Sequence, residues 1–159
     1  MENTALLIID VQNDYFPDGK MTLEKAEEAG QNTRKVLQYF RQNKLPVVHI
    51  MHISTNEGAA FFLPGTSGAE INQLVAPHMG EKVITKHFPN SFRETDLLDY
   101  LKSEKIENLV ITGMMTDVCV ESTTRAAFDF GFNTTIIGDA TATKNRELNG
   151  ETVKASEVQ

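Results

Sequence analysis

Ala5-Leu6-Leu7-Ile8-Ile9-Asp10 is the stretch that decides the fold. Five apolar residues run together with no alternation and stop at a carboxylate. A run this short and this continuous fits a strand buried on both faces, as strands are in a parallel sheet. Outward from it, Glu24 to Asn43 changes period. Ala26, Ala29, Val36, Leu37, Phe40 and Leu45 fall on one helical face and charges fill the other. Pro46 restarts extended chain through Val47-Val48-His49-Ile50-Met51-His52-Ile53, and Lys82-Val83-Ile84-Thr85 reads as a third strand ending at Lys86. Asn108 to Thr112 and Asn133 to Ile137 are the fourth and fifth.

Between these strands, residues 54–68 hold Asn56, Gly58, Pro64, Gly65, Ser67 and Gly68 and read as a long loop. A short helix is expected over Ala69–Val75. Thr95 is the expected N-cap of the next helix, with Leu97, Leu98 and Leu101 facing inward. Thr116 or Asp117 caps another that runs to Phe130, where Gly131 can end it. Strands alternating with helices predict an α/β fold: a three-layer αβα arrangement, with a Rossmann-like, mostly parallel sheet and helices on both faces. The tail Ser156-Glu157-Val158-Gln159 has the S-x-x-Q form that opens a helix, and otherwise reads as a loop.

The 159 residues suit one domain over 1–159, with room for a core that needs no disulfide or metal. A net charge of −7 argues against nucleic acid, whose phosphates require a basic surface, and against an anionic membrane surface. One cysteine cannot close an intramolecular disulfide, and the start lacks the basic, long apolar form of a signal peptide. No run reaches membrane-spanning length, so a cytoplasmic location is the default expectation.

In an open parallel sheet, sites form beyond the carboxyl ends of the strands. Asp10 follows the first strand, Lys86 ends the third, and Cys119 lies past the fourth in the first turn of a helix. Taken singly, each has an ordinary reading: a small buried hydrophobe, a loop carboxylate and a solvated amine. Together they make a nucleophile with its helpers. The helix N-terminus and the Lys86 ammonium would favour a thiolate. Asp10 can take the thiol proton and return it to a leaving group, and backbone N–H groups before Cys119 can hold an oxyanion.

Three segments resemble the isochorismatase-like hydrolases, the superfamily of nicotinamidase and N-carbamoylsarcosine amidase. They are Asp10-Val11-Gln12-Asn13-Asp14-Tyr15-Phe16, Lys86-His87-Phe88-Pro89-Asn90-Ser91-Phe92, and Gly113-Met114-Met115-Thr116-Asp117-Val118-Cys119-Val120. Thr124-Arg125-Ala126-Ala127 and Gly138-Asp139-Ala140-Thr141-Ala142-Thr143 match the segments that usually lie beyond the cysteine in that family. The resemblance implies a triad of Asp10, Lys86 and Cys119, and a cis peptide between Met114 and Met115. It further implies an oxyanion hole from the backbone N–H of Met115 and Cys119. The expected substrate is a small molecule carrying an amide or ureido group, with Gln12, Phe16, His52, Phe61 and Phe62 around it. The family usually forms dimers or tetramers, so a homo-oligomer is expected. Family members usually run on into a last helix and strand, which this sequence would then lack.

Nicotinamidases carry an Asp-x-His pair and a further His for a zinc-type metal after the second strand. Here His49 and His52 stand near that place without the Asp-x-His, and residues three apart on a strand point to opposite faces. No metal and no cofactor are therefore expected, and His78 and His87 read as structural or solvated. Two competing readings are an isochorismate-type vinyl ether hydrolase, which needs no cysteine, and a non-catalytic nucleotide- or flavin-binding module. The second lacks a phosphate cradle: no G-x-G-x-x-G or Walker A loop comes after the first strand.

Overall fold

The computed structural model describes residues 2–159. A five-stranded parallel sheet forms its centre, with β1 (Thr4–Ile9), β2 (Val47–His52), β3 (Lys82–Lys86), β4 (Asn108–Met114) and β5 (Asn133–Ala142) in the order β3-β2-β1-β4-β5. All six residues of β1 are buried. The pleat sends them alternately to two cores. Leu6 and Ile8 join Ala26, Ala29, Leu37 and Phe40 of helix α1 (Ala26–Gln42). Ala5, Leu7 and Ile9 join Leu97 and Leu101 of α2 (Leu97–Ser103), and Ala127 of α3 (Glu121–Asp129). One apolar run thus supplies both sides of a three-layer sandwich, the α/β fold expected. A hairpin, β6 (Arg146–Leu148) with β7 (Glu151–Val153), and a final turn of helix, α4 (Ala155–Val158), complete the described chain. Among the described residues no helix is long and apolar enough to cross a membrane.

The strand order reverses at β1. The chain moves from β1 outward to β2 and β3, then crosses back to put β4 on the other side of β1. The loops after β1 and β4 therefore diverge and leave a crevice between them. Gly113 lets those two strand ends approach: a Cβ there would lie 2.0 Å from the Ile9 carbonyl oxygen, and its φ is +127°.

Several local expectations are corrected. The helix expected over Ala69–Val75 is two separate 3-10 turns, Ser67–Ala69 and Gln73–Val75, with Ile71 bridged to Gln12 between them. Asn72 breaks the helix because its side chain accepts the Leu74 N–H, a local bond that competes with helical pairing. Thr95 stands one residue before the N-cap of α2, though its hydroxyl accepts the Leu97 N–H at 3.4 Å. Asp96 holds the N-cap position, and the Thr95 hydroxyl donates to the Ser91 carbonyl at 2.6 Å. The fifth strand runs on to Ala142 past a register shift opposite Ile111/Gly113. Ser156 does not open the last helix either. Lys154 is the N-cap, and its N–H donates to the Glu157 carboxylate at 3.0 Å.

Candidate active site

Asp10 leaves β1 with φ +51°, a left-handed conformation that aspartate tolerates better than most residues. Its side chain is wholly buried, as is that of Lys86 at the end of β3. The lysine stem spans the end of β2 and brings Nζ to 2.8 Å from Asp10 Oδ2. The contact is a close ion pair, yet it is poorly aligned for hydrogen bonding, and neither Asp10 oxygen accepts a well-formed hydrogen bond. Two bonds of Lys86 are well formed. One goes to His52 Nδ1 at 3.0 Å and the other to the Phe88 carbonyl at 3.0 Å.

Cys119 comes after β4 in a π-turn, Thr116–Val120, that leads directly into α3. The N-cap of that turn is Met115, not Thr116 or Asp117, and no side chain caps it. Cys119 is only 5% exposed. Ligand-type atoms of Asp10, His52 and Cys119 all lie within 4.8 Å of one another. The Lys86 ammonium touches two of those three groups, so a cation already sits among them. The Met114–Met115 peptide bond is cis.

Charges in this closed space act strongly on each other. Burial, then the Asp10 charge, pushes the Cys119 thiol up from its ordinary value, and the opposing pull of Lys86 does not cancel them. The resting sulfur is thus a thiol, whereas the residues alone suggested that the helix and Lys86 would favour the thiolate. Burial works to lower Lys86, but its acidic surroundings, Asp10 foremost, outweigh that and move it up. It stays an ammonium. Burial, then the Lys86 charge, lowers His52 to about 4, so the imidazole is neutral. Tyr15 is buried close enough to Asp10 and Cys119 that both add to the burial raising its phenol.

The aromatic residues expected around a substrate take different places. Phe62 is buried, with its ring 4.6 Å from Tyr15, 4.9 Å from Phe61 and 6.0 Å from His52. These residues form a wall beside the triad. Phe16 is buried in the same core cluster, with its ring against Gly30 of α1. Gln12 departs from expectation. Its amide donates to the carbonyls of His52 (2.8 Å) and Ala69 (2.7 Å) and accepts from the His52 N–H (2.7 Å). With those bonds made and no exposed surface, it braces the wall instead of offering a group to a substrate.

Asp14 and Asp117 did not stand out from the residues alone. Asp14 accepts the Phe62 N–H at 2.7 Å and so fixes the aromatic loop. Gly68 is required beside it, since a Cβ there would fall 2.2 Å from Oδ1. Asp117 takes the Thr143 hydroxyl at 2.5 Å and Arg146 Nη2 at 2.7 Å, tying the π-turn to the segment after β5. Their place inside matched segments was the available signal, but a partner more than twenty residues away leaves no local pattern. The two histidines of β2 have different partners, His49 pairing with Glu81 at 2.8 Å and His52 with Lys86. A cavity of about 670 Å³ lies between α1 and residues 72–78 and is lined by none of Asp10, Lys86 and Cys119. It lies apart from the cluster of Asp10, Lys86 and Cys119.

Known proteins share this fold and much of this sequence. The isochorismatase domain family matches residues 4–155. A crystal structure from Oleispira antarctica, assigned to the isochorismatase hydrolases, superposes with a TM-score of 0.94 at 49% identity, covering 99% of this chain and 86% of that one. The isochorismatase family protein YddQ of Bacillus subtilis is 45% identical over 155 residues, 98% of this chain and 86% of its own. The crystal structure of N-carbamoylsarcosine amidase from Thermoplasma acidophilum superposes with a TM-score of 0.84 at 26% identity, over 89% and 84% of the two chains.

Proposed function

The chain belongs to the isochorismatase family of hydrolases, and from that premise we propose that it cleaves a small amide or ureido C–N bond through a thioester on Cys119. The observation that carries this reading is a buried thiol beside a carboxylate whose oxygens accept no well-formed hydrogen bond, with an ammonium 2.8 Å from that carboxylate. Likeness to N-carbamoylsarcosine amidase supports the C–N substrate class.

The thiol is the resting form, so attack and deprotonation go together. Asp10 draws the proton from sulfur as sulfur adds to the substrate carbonyl carbon. The backbone N–H groups of Met115 and Cys119 receive the oxygen as it becomes an oxyanion. The tetrahedral intermediate collapses, the C–N bond breaks, and Asp10 hands its proton to the departing nitrogen. Ammonia or an amine leaves a thioester. Water then attacks, Asp10 takes one of its protons, and breakdown of the second tetrahedral intermediate frees the acid and restores the thiol. Lys86 keeps its charge throughout and stabilises each anionic stage. Burial of Asp10, Lys86 and Cys119 strengthens that stabilisation.

A panel of small amides and ureides assayed for ammonia release tests the proposal, with Cys119→Ala as control. Turnover by the natural sequence and none by Cys119→Ala is the expected result. A cleaved substrate that Cys119→Ala still turns over overturns thioester chemistry and favours vinyl ether hydrolysis.

A further inference from the structure

Lys86 has three N–H groups, and their allocation assigns a role to His52. One goes to the Phe88 carbonyl, a backbone group fixed by the chain. One goes to His52 Nδ1 at 3.0 Å. The third is left for Asp10 Oδ2, at 2.8 Å but out of line, with Cys119 also acting on the ammonium. Lysine only donates, so Nδ1 must be the unprotonated ring nitrogen and the His52 proton sits on Nε2. Two further bonds hold the backbone at this point, the His52 N–H on Gln12 and the His52 carbonyl accepting from Gln12. The acceptor is therefore fixed in place.

We propose that His52 is a positioning residue that withholds one Lys86 proton from the reacting pair, and so governs how readily the Cys119 sulfur gives up its own. This rests on the cysteine-hydrolase reading of the same site. While Nδ1 holds its N–H, a forming thiolate has a share in only one ammonium proton. When Asp10 becomes neutral on accepting the thiol proton, the ammonium turns toward sulfur, and the Nδ1 bond is the side-chain contact it can release. The charged and titratable groups facing His52 are Lys86 and His87 at and after the end of β3, Asp10 after β1, and Cys119 in the π-turn. The neutral state of the ring, held by burial and by Lys86, keeps Nδ1 available as an acceptor.

The test replaces the acceptor without touching the triad. His52→Leu removes it, and His52→Asn retains one at the same number of bonds from Cβ. Cys119 is the only cysteine, so its ionisation can be tracked without substrate, by thiolate absorbance in the far ultraviolet and by the pH profile of iodoacetamide alkylation. In His52→Leu the thiol midpoint falls by about one pH unit, the size of one added hydrogen bond to an ionised group, and alkylation below it quickens about tenfold. In His52→Asn both stay near the natural values. An unmoved midpoint, a rise, or an equal fall in both variants overturns the inference. If thermal melting shows that His52→Leu does not fold, His52→Met is read in its place with the same expectations. Because no substrate enters these measurements, a failed substrate panel and a failed titration are separate results.

Discussion

Two clusters in this chain use nearly the same parts to opposite ends. Behind the sheet, Glu81 meets Arg41 Nε at 2.7 Å and Nη2 at 2.8 Å, His49 Nε2 at 2.8 Å and the His78 N–H at 2.8 Å. At the carboxyl end of the sheet, Asp10 meets Lys86 near His52 and accepts no well-aligned bond. Each has an acid, a base and a histidine from β2. In the first the Glu81 carboxylate takes four well-formed bonds, although His49 Nδ1 has no partner, and a carboxylate so engaged holds structure. In the second the carboxylate has only a poorly aligned ammonium beside a thiol, and an acceptor so placed can take a proton. The bonding of the carboxylate, not composition, separates the clamp from the candidate active site.

The largest effect separating the two falls on catalysis. Asp10→Asn is expected to lower kcat/KM by about 10²–10⁴-fold, the usual worth of a positioned proton carrier. Glu81→Gln should leave it within about twofold, because the clamp touches no reacting atom. Steady-state kinetics on any substrate found by ammonia release compares them, and equal losses would dissolve the distinction.

Stability gives the next contrast. Lys86→Met alone leaves Asp10 buried and unpaired, and is expected to cost about 3–5 kcal/mol. Adding Asp10→Asn should recover most of that loss, since the buried charge is gone. In the clamp, Arg41→Met should cost about 1–3 kcal/mol through lost bonds to a charged partner. Denaturant unfolding reads all three, and failure of Asp10→Asn to rescue Lys86→Met would show that the ion pair is not what Lys86 contributes.

Acid sensitivity sharpens the comparison at the smallest scale. Burial works to raise Glu81, but Arg41, the His78 N–H and His49 outweigh it and hold the carboxyl at about 2 against an ordinary 4.5. A depressed folded value means the stabilisation is whole above pH 4.5 and is lost as pH falls from there through about 2. His52, lowered to about 4 from 6.5, contributes in full above pH 6.5 and loses its contribution as pH falls toward 4. Melting temperature against pH should therefore lose its lower limb in Glu81→Gln and flatten between pH 6.5 and 4 in His52→Asn.

How far the residues alone reach can be seen at particular places. The run from Ala5 to Ile9 told of a strand buried on both faces because burial on both faces demands unbroken apolarity. Asp10, Lys86 and Cys119 were legible because strand ends and segment spacing are written along the chain. The bonding of Gln12 and the core position of Phe16 were not legible, since each depends on an element far away in sequence. Asn72 splits the expected helix by one side-chain bond, a local competition that periodicity does not weigh.

The order of residues determined which groups exist, where strands begin and end, and that three reactive side chains share one edge of a sheet. Only the tertiary structure decided that burial and Asp10 push the thiol up, that His52 accepts an N–H of Lys86, and that Asp10 meets Lys86 out of line. The reason is physical. Hydrophobic period is a property of neighbours in the chain, whereas burial and hydrogen-bond allocation belong to neighbours in space.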